Sequence, residues 1–321
     1  MSEVILNTEQ LTKRYPLKAA GFSRRKGVVR AVEQVSLEIF QGEVFGLVGE
    51  SGCGKSTLGR VLLRLEEPTA GRVFFEGQNL ATFDKERLKQ FRRQAQIIYQ
   101  DPYSALNPRR PVGQLIEEPL VIHRTGTPQQ RSQRVAWLLD VVGLLPDQAR
   151  RYPHEFSGGQ RQRIVIARAL ALNPTLIMAD EPVSALDVSI QAQIINLLKE
   201  LQAEFNLTYV FISHDLAVVE YIADRVAVMY LGRLVELAGK RDFYAEPLHP
   251  YSQALLSAAP IPDPDALRQR VILSGEVPSP VNPPAGCSFH PRCPEAQSVC
   301  SRQLPVFREV RPQRWVACHL R

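Results

Sequence analysis

Residues 44–57 read VFGLVGESGCGKST: an apolar run of strand character, a glycine-dense loop, and a stretch that opens a helix. Positions 49–56, GESGCGKS, fit G-x-x-x-x-G-K-[ST] in full, with the strand before and the helix after that this pattern needs. Gly49, Gly52 and Gly54 let the backbone turn tightly, so that successive N–H groups face phosphate oxygens while the helix N-terminus adds the positive end of its dipole. Ser51 lies in the same loop. Lys55 is expected on the β- and γ-phosphates, Ser56 on Mg²⁺ through its hydroxyl, and Thr57 on a phosphate from the first helical turn. Cys53 occupies a free position of the pattern and reads as a small side chain without a role.

Outward from this loop, TLIMADEP (175–182) is an apolar strand that ends in two carboxylates, Asp180 and Glu181. The pleat of the strand points them in different directions. Asp180 is expected to hold Mg²⁺ through water, and Glu181 to accept a proton from a water attacking the γ-phosphate. In FSGGQRQRIVIARAL (156–170), Ser157, Gly158, Gly159 and Gln160 open a strongly periodic helix, which offers a second helix N-terminus to an anion. Gln100 in IIYQD, Asp187 in EPVSALD and His214 in VFISHD each stand at the end of a β-rich or apolar run.

The wider chain supports an α/β fold. The first hundred residues read as strands and turns with one helix, from Lys55 to about residue 65. From 101 to about 170 apolar residues recur at helical spacing, as in VGQLIEEPLVI and RVAWLLDVVGLL. Strands return in TLIMADEP and TYVFISHD with a helix between them, and that alternation predicts a mainly parallel sheet into which the helical part is inserted. Beyond about residue 240 the proline-dense stretches PIPDPD and EVPSPVNPPAG exclude long regular elements and predict an extended tail. A basic stretch, FSRRKGVVR (22–30), reads as a solvated surface loop.

The chain has 321 residues, 45% of them hydrophobic and 22% charged, enough for one large or two modest domains. Lys and Arg number 39 against 33 for Asp and Glu, a net charge of +6 that suits anionic partners without choosing among them. No run approaches the roughly eighteen apolar residues of a membrane helix, and the N-terminus MSEVILNTEQ has no signal-type segment, so the expectation is neither a secreted nor an integral membrane protein. Of five cysteines, Cys287, Cys293, Cys300 and Cys318 crowd the last tenth of the chain, spaced Cx5C, Cx6C and Cx17C. Four thiolates can surround one tetrahedral metal or one cubic cluster, and the absence of a signal favours metal over disulfides. The spacing lacks the CxxC pairs of common zinc ribbons. His290 and His319 adjoin the cysteines and read as surface or outer residues, since four cysteines complete a site.

Taken in order, these motifs resemble the ATP-binding cassette (ABC) ATPase family over residues 4–240. The resemblance implies a P-loop NTPase fold of the ABC type: a cassette at 1–240 with a helical subdomain at about 101–170, followed by a Pro/Cys-rich extension at 241–321. It further implies ATP and Mg²⁺ as ligands and ATP hydrolysis as the activity. Tyr15 of LTKRYP would stack on adenine, Gln100 would sense Mg²⁺ and the attacking water, and His214 would contact the γ-phosphate. Two cassettes would pair head to tail, Ser157 and Gly159 of one closing over ATP held at Lys55 of the other.

Within that family QDPYSALNPR (100–109), MYLGRLVELA (229–238), HPYSQALLSAAP (249–260) and GEVPSPVNPPAGCSFHPRC (275–293) look like the dipeptide and oligopeptide importer ATPases, most like the second ATPase subunit of a dipeptide importer. This implies a heterodimer with a second ATPase, two transmembrane permeases, an extracytoplasmic peptide-binding protein as an indirect partner, and a peripheral position on the cytoplasmic face of a bacterial inner membrane. It also implies a [4Fe-4S] cluster on the four tail cysteines as a folding staple, with zinc as the alternative. Nickel and glutathione importers share the pattern. A soluble ABC ATPase acting on DNA or ribosomes is the rival class, disfavoured by the single cassette and short helical insert, and no nucleic-acid partner is expected. An inactive, ATP-holding subunit is disfavoured because Lys55, Gln100, Ser157, Asp180, Glu181 and His214 are all present.

Overall fold

The structure, a computed structural model, describes residues 3–17, 27–258, 273 and 275–321. In chain order the elements are β1 (Val4–Pro16), β2 (Val28–Phe40), β3 (Val44–Val48), α1 (Lys55–Leu62), β4 (Ala70–Phe75), β5 (Gln78–Asn79), α2 (Lys85–Gln94), β6 (Ala95–Ile98), α3 (Pro102–Ala105), α4 (Val112–Ile122), α5 (Pro128–Val141), α6 (Gly158–Leu170), β7 (Leu176–Asp180), α7 (Val188–Phe205), β8 (Thr208–Ser213), α8 (Leu216–Ile222), β9 (Arg225–Tyr230), β10 (Arg233–Gly239), α9 (Lys240–Ala245), α10 (Pro250–Ala258), β11 (Arg308–Arg311) and β12 (Arg314–Val316). They group into two compact units, Met1–Ala81 with Ser213–Arg321, and Thr82–Ile212.

In the first unit β3 is buried at all five positions and pairs in parallel with β9, as expected of a strand covered on both faces. Gly46 permits that covering: a Cβ there would stand 2.8 Å from Val219 of α8. An antiparallel sheet of order β2-β1-β4-β5 lies in the same unit. The tail is more regular than its prolines predict, because α9 and α10 follow β10, and the β11–β12 hairpin adds to β10 in antiparallel fashion. The proline runs fall between these elements, and PIPDPD lies outside the described residues. So do residues 22–26 of the basic stretch, whose last three residues, Val28 to Arg30, open β2 instead of lying in a loop.

In the second unit β6, β7 and β8 pair in parallel, and β7 and β8 are buried throughout. The helices expected between 101 and 170 are α3 to α6. Helix α2 is an addition to the sequence reading. Its sequence, KERLKQFRRQ, buries only Phe91 and so shows no apolar stripe; it starts because the Asp84 carboxylate caps it, accepting from the Arg87 N–H at 2.8 Å. Among the described residues no helix is long and apolar enough to cross a membrane.

Candidate functional site

The loop between β3 and α1 is built by backbone crowding. Gly54 has φ +109°, and a Cβ on it would lie 2.0 Å from the Ala31 carbonyl oxygen; at Gly49, φ +150°, the clash would be with the Met229 carbonyl at 2.2 Å. Gly52, φ +77°, faces open space. Lys55 is 3% exposed, and its ammonium donates to the carbonyls of Gly49 at 2.8 Å and Glu50 at 3.1 Å. The loop therefore curls around the Lys55 cation. Cys53, given no role by the sequence, lies with its Sγ 3.8 Å from that ammonium. Burial pushes its thiol pKa up, although Lys55 pulls the other way, which keeps it a thiol. Tyr15 lies near this helix start: its pKa is raised by burial and by its hydrogen bond to Glu66, and lowered by Thr57 and Arg60. Lys13 covers one face of its ring, 5.0 Å from the centroid. His214 follows β8 and is exposed, just before the Asp215 cap of α8.

The second unit holds the carboxylates. Asp180 ends β7 and is 8% exposed. Glu181, the next residue, has φ +48°, a left-handed conformation that costs a non-glycine residue about 1–2 kcal/mol. Its N–H is held by the Ile212 carbonyl at 3.0 Å, so the neighbouring strand fixes the bend. The structure brings Gln100 to this carboxylate, its Nε2 donating to Glu181 Oε2 at 3.0 Å and lying 3.4 Å from Ser184 Oγ. Ser184, which the sequence reading did not single out, also donates to the Glu181 carbonyl at 3.2 Å.

At the head of α6, Ser157 and Gln160 form a reciprocal capping box, Ser157 Oγ accepting the Gln160 N–H at 3.3 Å and Gln160 Oε1 the Ser157 N–H at 3.0 Å. The S-x-x-Q spacing carried that signal. Ser157 remains exposed. Gly159 is buried, and a Cβ on it would meet Ile190 Cγ2 at 2.5 Å, while Gly158 is looser, 3.4 Å from Leu186. Asp187 precedes α7, is exposed, and makes no capping hydrogen bond to that helix.

The ABC transporter family profile matches residues 32–184, and the profile of the oligopeptide/dipeptide transporter C-terminal region matches residues 235–300. The chain is 55% identical over 321 residues to the oligopeptide transport ATP-binding protein AppF of Bacillus subtilis (strain 168), covering 99% of this chain and 98% of that one. The chain belongs to the ABC transporter ATP-binding subunits of the oligopeptide and dipeptide type. A second relative of this ABC ATPase, the probable peptide ABC transporter ATP-binding protein y4tS of Sinorhizobium fredii (strain NBRC 101917 / NGR234), is 56% identical over 100% of this chain and 91% of its own. Among solved structures, the dimeric post-hydrolysis state of the cassette MJ0796 bound to ADP and Pi matches with a TM-score of 0.64 at 31% identity, over 74% of this chain and 99% of that one. CbiO1 from Clostridium perfringens, part of the ABC transporter complex cbiONQ, gives 0.65 at 27% identity over 76% and 92%.

In the tail of the ABC ATPase all four cysteines are free thiols. The Cys287 N–H donates to the Cys300 carbonyl at 2.8 Å, and Gly286, φ +67°, is needed there because a Cβ would stand 2.4 Å from the same oxygen. Burial pushes the Cys287 thiol up to about 11, with Cys300 and Cys318 adding to it; Cys293 and Cys318 are raised chiefly by burial and also by Cys300. Among the described residues no group of three or more His, Cys, Asp or Glu side chains is arranged as a metal site. His290 Nδ1 contacts the Cys287 carbonyl at 2.8 Å and His319 Nε2 the Gln303 carbonyl at 2.9 Å, so each histidine has a ring nitrogen engaged with backbone.

Proposed function

We propose that this ABC ATPase powers peptide import as the ATP-hydrolysing subunit of a bacterial transporter, docked on the cytoplasmic face of the inner membrane beneath two permeases. The observation that carries the reading is the presence in one chain of the ABC transporter match at 32–184 and the oligopeptide/dipeptide C-terminal match at 235–300. Peptide relatives aligned over nearly the whole chain support the cargo class.

In this mechanism the loop N–H groups, including those of Ser51 and Gly52, take the ATP phosphates, and Lys55 exchanges its two carbonyl partners for phosphate oxygens. Ser56, Gln100 and Asp180 would hold Mg²⁺, which would supply charge neutralisation at the phosphates. Glu181, set on a left-handed backbone and held by Gln100, accepts the proton of the attacking water. Tyr15 would stack on adenine, His214 would contact the γ-phosphate, and Asp187 would serve the same nucleotide. Ser157, Gly158, Gly159 and Gln160 of a partner cassette close over the ATP; a second, different ATPase subunit is the partner of choice. Catalysis is positioning and charge stabilisation without a covalent intermediate.

Cys287, Cys293, Cys300 and Cys318 would hold a [4Fe-4S] cluster, zinc being the alternative. The donor type suits either group, four free thiols with both neighbouring histidines engaged by backbone carbonyls, although the thiols are not gathered into a metal site in this arrangement. The group would supply cross-linking within the segment that carries the four cysteines. The reading as a whole is tested by isolating the chain anaerobically from its host in mild detergent, then assaying ATP-driven peptide uptake in vesicles containing its copurifying membrane proteins. Two permeases and uptake that needs ATP are expected; copurification with nucleic acid or ribosomes and no permease would overturn the transport assignment.

A further inference from the structure

Glu50 is a free position of the phosphate-loop pattern, yet it is tied at three points. Its carboxylate is gripped by both prongs of Arg292, Nη1 to Oε2 at 2.7 Å and Nη2 to Oε1 at 3.1 Å. Its N–H donates to the Tyr251 hydroxyl at 2.8 Å, and its carbonyl accepts from Lys55. Arg292 and Tyr251 both belong to the tail, and both are buried, at 8% and 0% exposure. They are themselves braced. Tyr251, Tyr230 at the end of β9 and Phe289 form an aromatic cluster with centroids 4.7–5.3 Å apart, and His249 Nδ1 accepts the Tyr251 N–H at 3.0 Å. On the other side, Gly49 packs against the Met229 carbonyl at the same end of β9.

We propose that Arg292 is a positioning residue for ATP binding: the tail clamps Glu50 so that the phosphate loop is held in its binding shape before nucleotide arrives. A bidentate, poorly hydrated guanidinium–carboxylate pair fixes direction as well as distance, which a lysine point charge does not. The clamp removes the cost of ordering the loop at the moment of binding, and so raises affinity without adding a contact to ATP. This rests on Lys55 and its loop being the ATP site.

The test uses the full-length chain with Mg²⁺ and a fluorescent ATP analogue. Arg292→Gln and Glu50→Gln are each expected to raise Kd about tenfold, the effect of some 1.4 kcal/mol, with Arg292→Lys in between. The double variant is expected to be no worse than either single, since both remove the same clamp. Because Glu50 acts on the loop before and during the reaction alike, KM for ATP rises while kcat stays within about twofold. Should Arg292→Gln fail to fold, Glu50→Gln, whose side chain is 28% exposed, decides alone. Unchanged Kd in both singles, or losses that add, would overturn the proposal. Lys55→Ala is the control: if wild type binds the analogue and Lys55→Ala does not, the ATP site stands whatever Arg292 does.

Discussion

Gly159 sits in a motif expected to close over ATP bound by a partner cassette, but the structure gives it a second duty within its own chain. A Cβ on Gly159 would stand 2.5 Å from Ile190 Cγ2, closer than such atoms in a packed core ever lie. Gly159→Ala therefore forces α6 and α7 apart or drives Ile190 off its rotamer, at about 1–3 kcal/mol. Alanine is a better helix former than glycine by up to about 1 kcal/mol, which leaves a net loss of about 0–2 kcal/mol. Ile190→Ala removes the obstructing methyl. It costs stability itself through lost packing, less than a fully buried isoleucine would because Ile190 is half-buried. The double variant is expected to be more stable than the sum of the singles by about 1–2 kcal/mol, read from urea unfolding of the four proteins in a double-mutant cycle. Additivity within about 0.5 kcal/mol would refute the packing reading. ATP turnover of the double variant separates the two duties: activity restored with stability means that glycine serves the α6–α7 contact, and activity still lost means that the helix end must stay bare for phosphate.

Three further outcomes are expected. Glu181→Gln keeps ATP affinity but lowers turnover at least about 100-fold, since the proton acceptor is lost while Lys55 and Asp180 remain; turnover near wild type would exclude Glu181 as the base. Cys293→Ser loses bound metal and lowers the unfolding midpoint of the tail, measured by iron, zinc and sulfide content with a thermal melt; metal content equal to wild type would contradict the four-thiolate site. His249 is wholly buried, and its pKa is pushed down to about 3 by burial and then by Arg321, so it stays neutral in the fold. Its folded pKa lies below its unfolded one, so the stability this gives is complete above about pH 6.5 and drains as pH falls toward 3, by about 1.4 kcal/mol per unit while the two pKa values bracket the pH. His249→Gln should flatten that part of the pH–stability curve, and parallel curves would remove His249 as the cause.

The ATPase core was legible because its signals are local. An apolar strand, a glycine loop and a helix are adjacent in 44–57, and the periodicity of 101–170 announced helices without any tertiary information. The failures were of two kinds. Helix α2 carries no such signal: its apolar residues are Leu88 and Phe91 alone, of which only Phe91 is buried, so its Asp84 cap outweighs its packing. The tail was read as extended because prolines were counted as interruptions throughout, whereas they separate elements as short as the three-residue β12, which exist only because β10 offers them an edge.

In the site, residue type was legible and restraint was not. Glu181 and Gln100 could be named from sequence, but not the left-handed turn that aims Glu181, because nothing in ADEP demands φ +48°; the Ile212 carbonyl that holds it lies on a strand thirty-one residues later. The Glu50–Arg292 pair is the extreme case, closing across 242 residues between a position the loop pattern leaves free and a tail the pattern does not include. A motif records the groups that touch phosphate, because their chemistry admits few substitutes. The groups that hold the motif in shape need only the right length and charge from whichever segment passes nearby, so they carry no local signature. It follows that an ABC ATPase lacking this tail must brace its phosphate loop by other means, and that Arg292→Gln should weaken ATP binding here while leaving every residue of GESGCGKS unchanged.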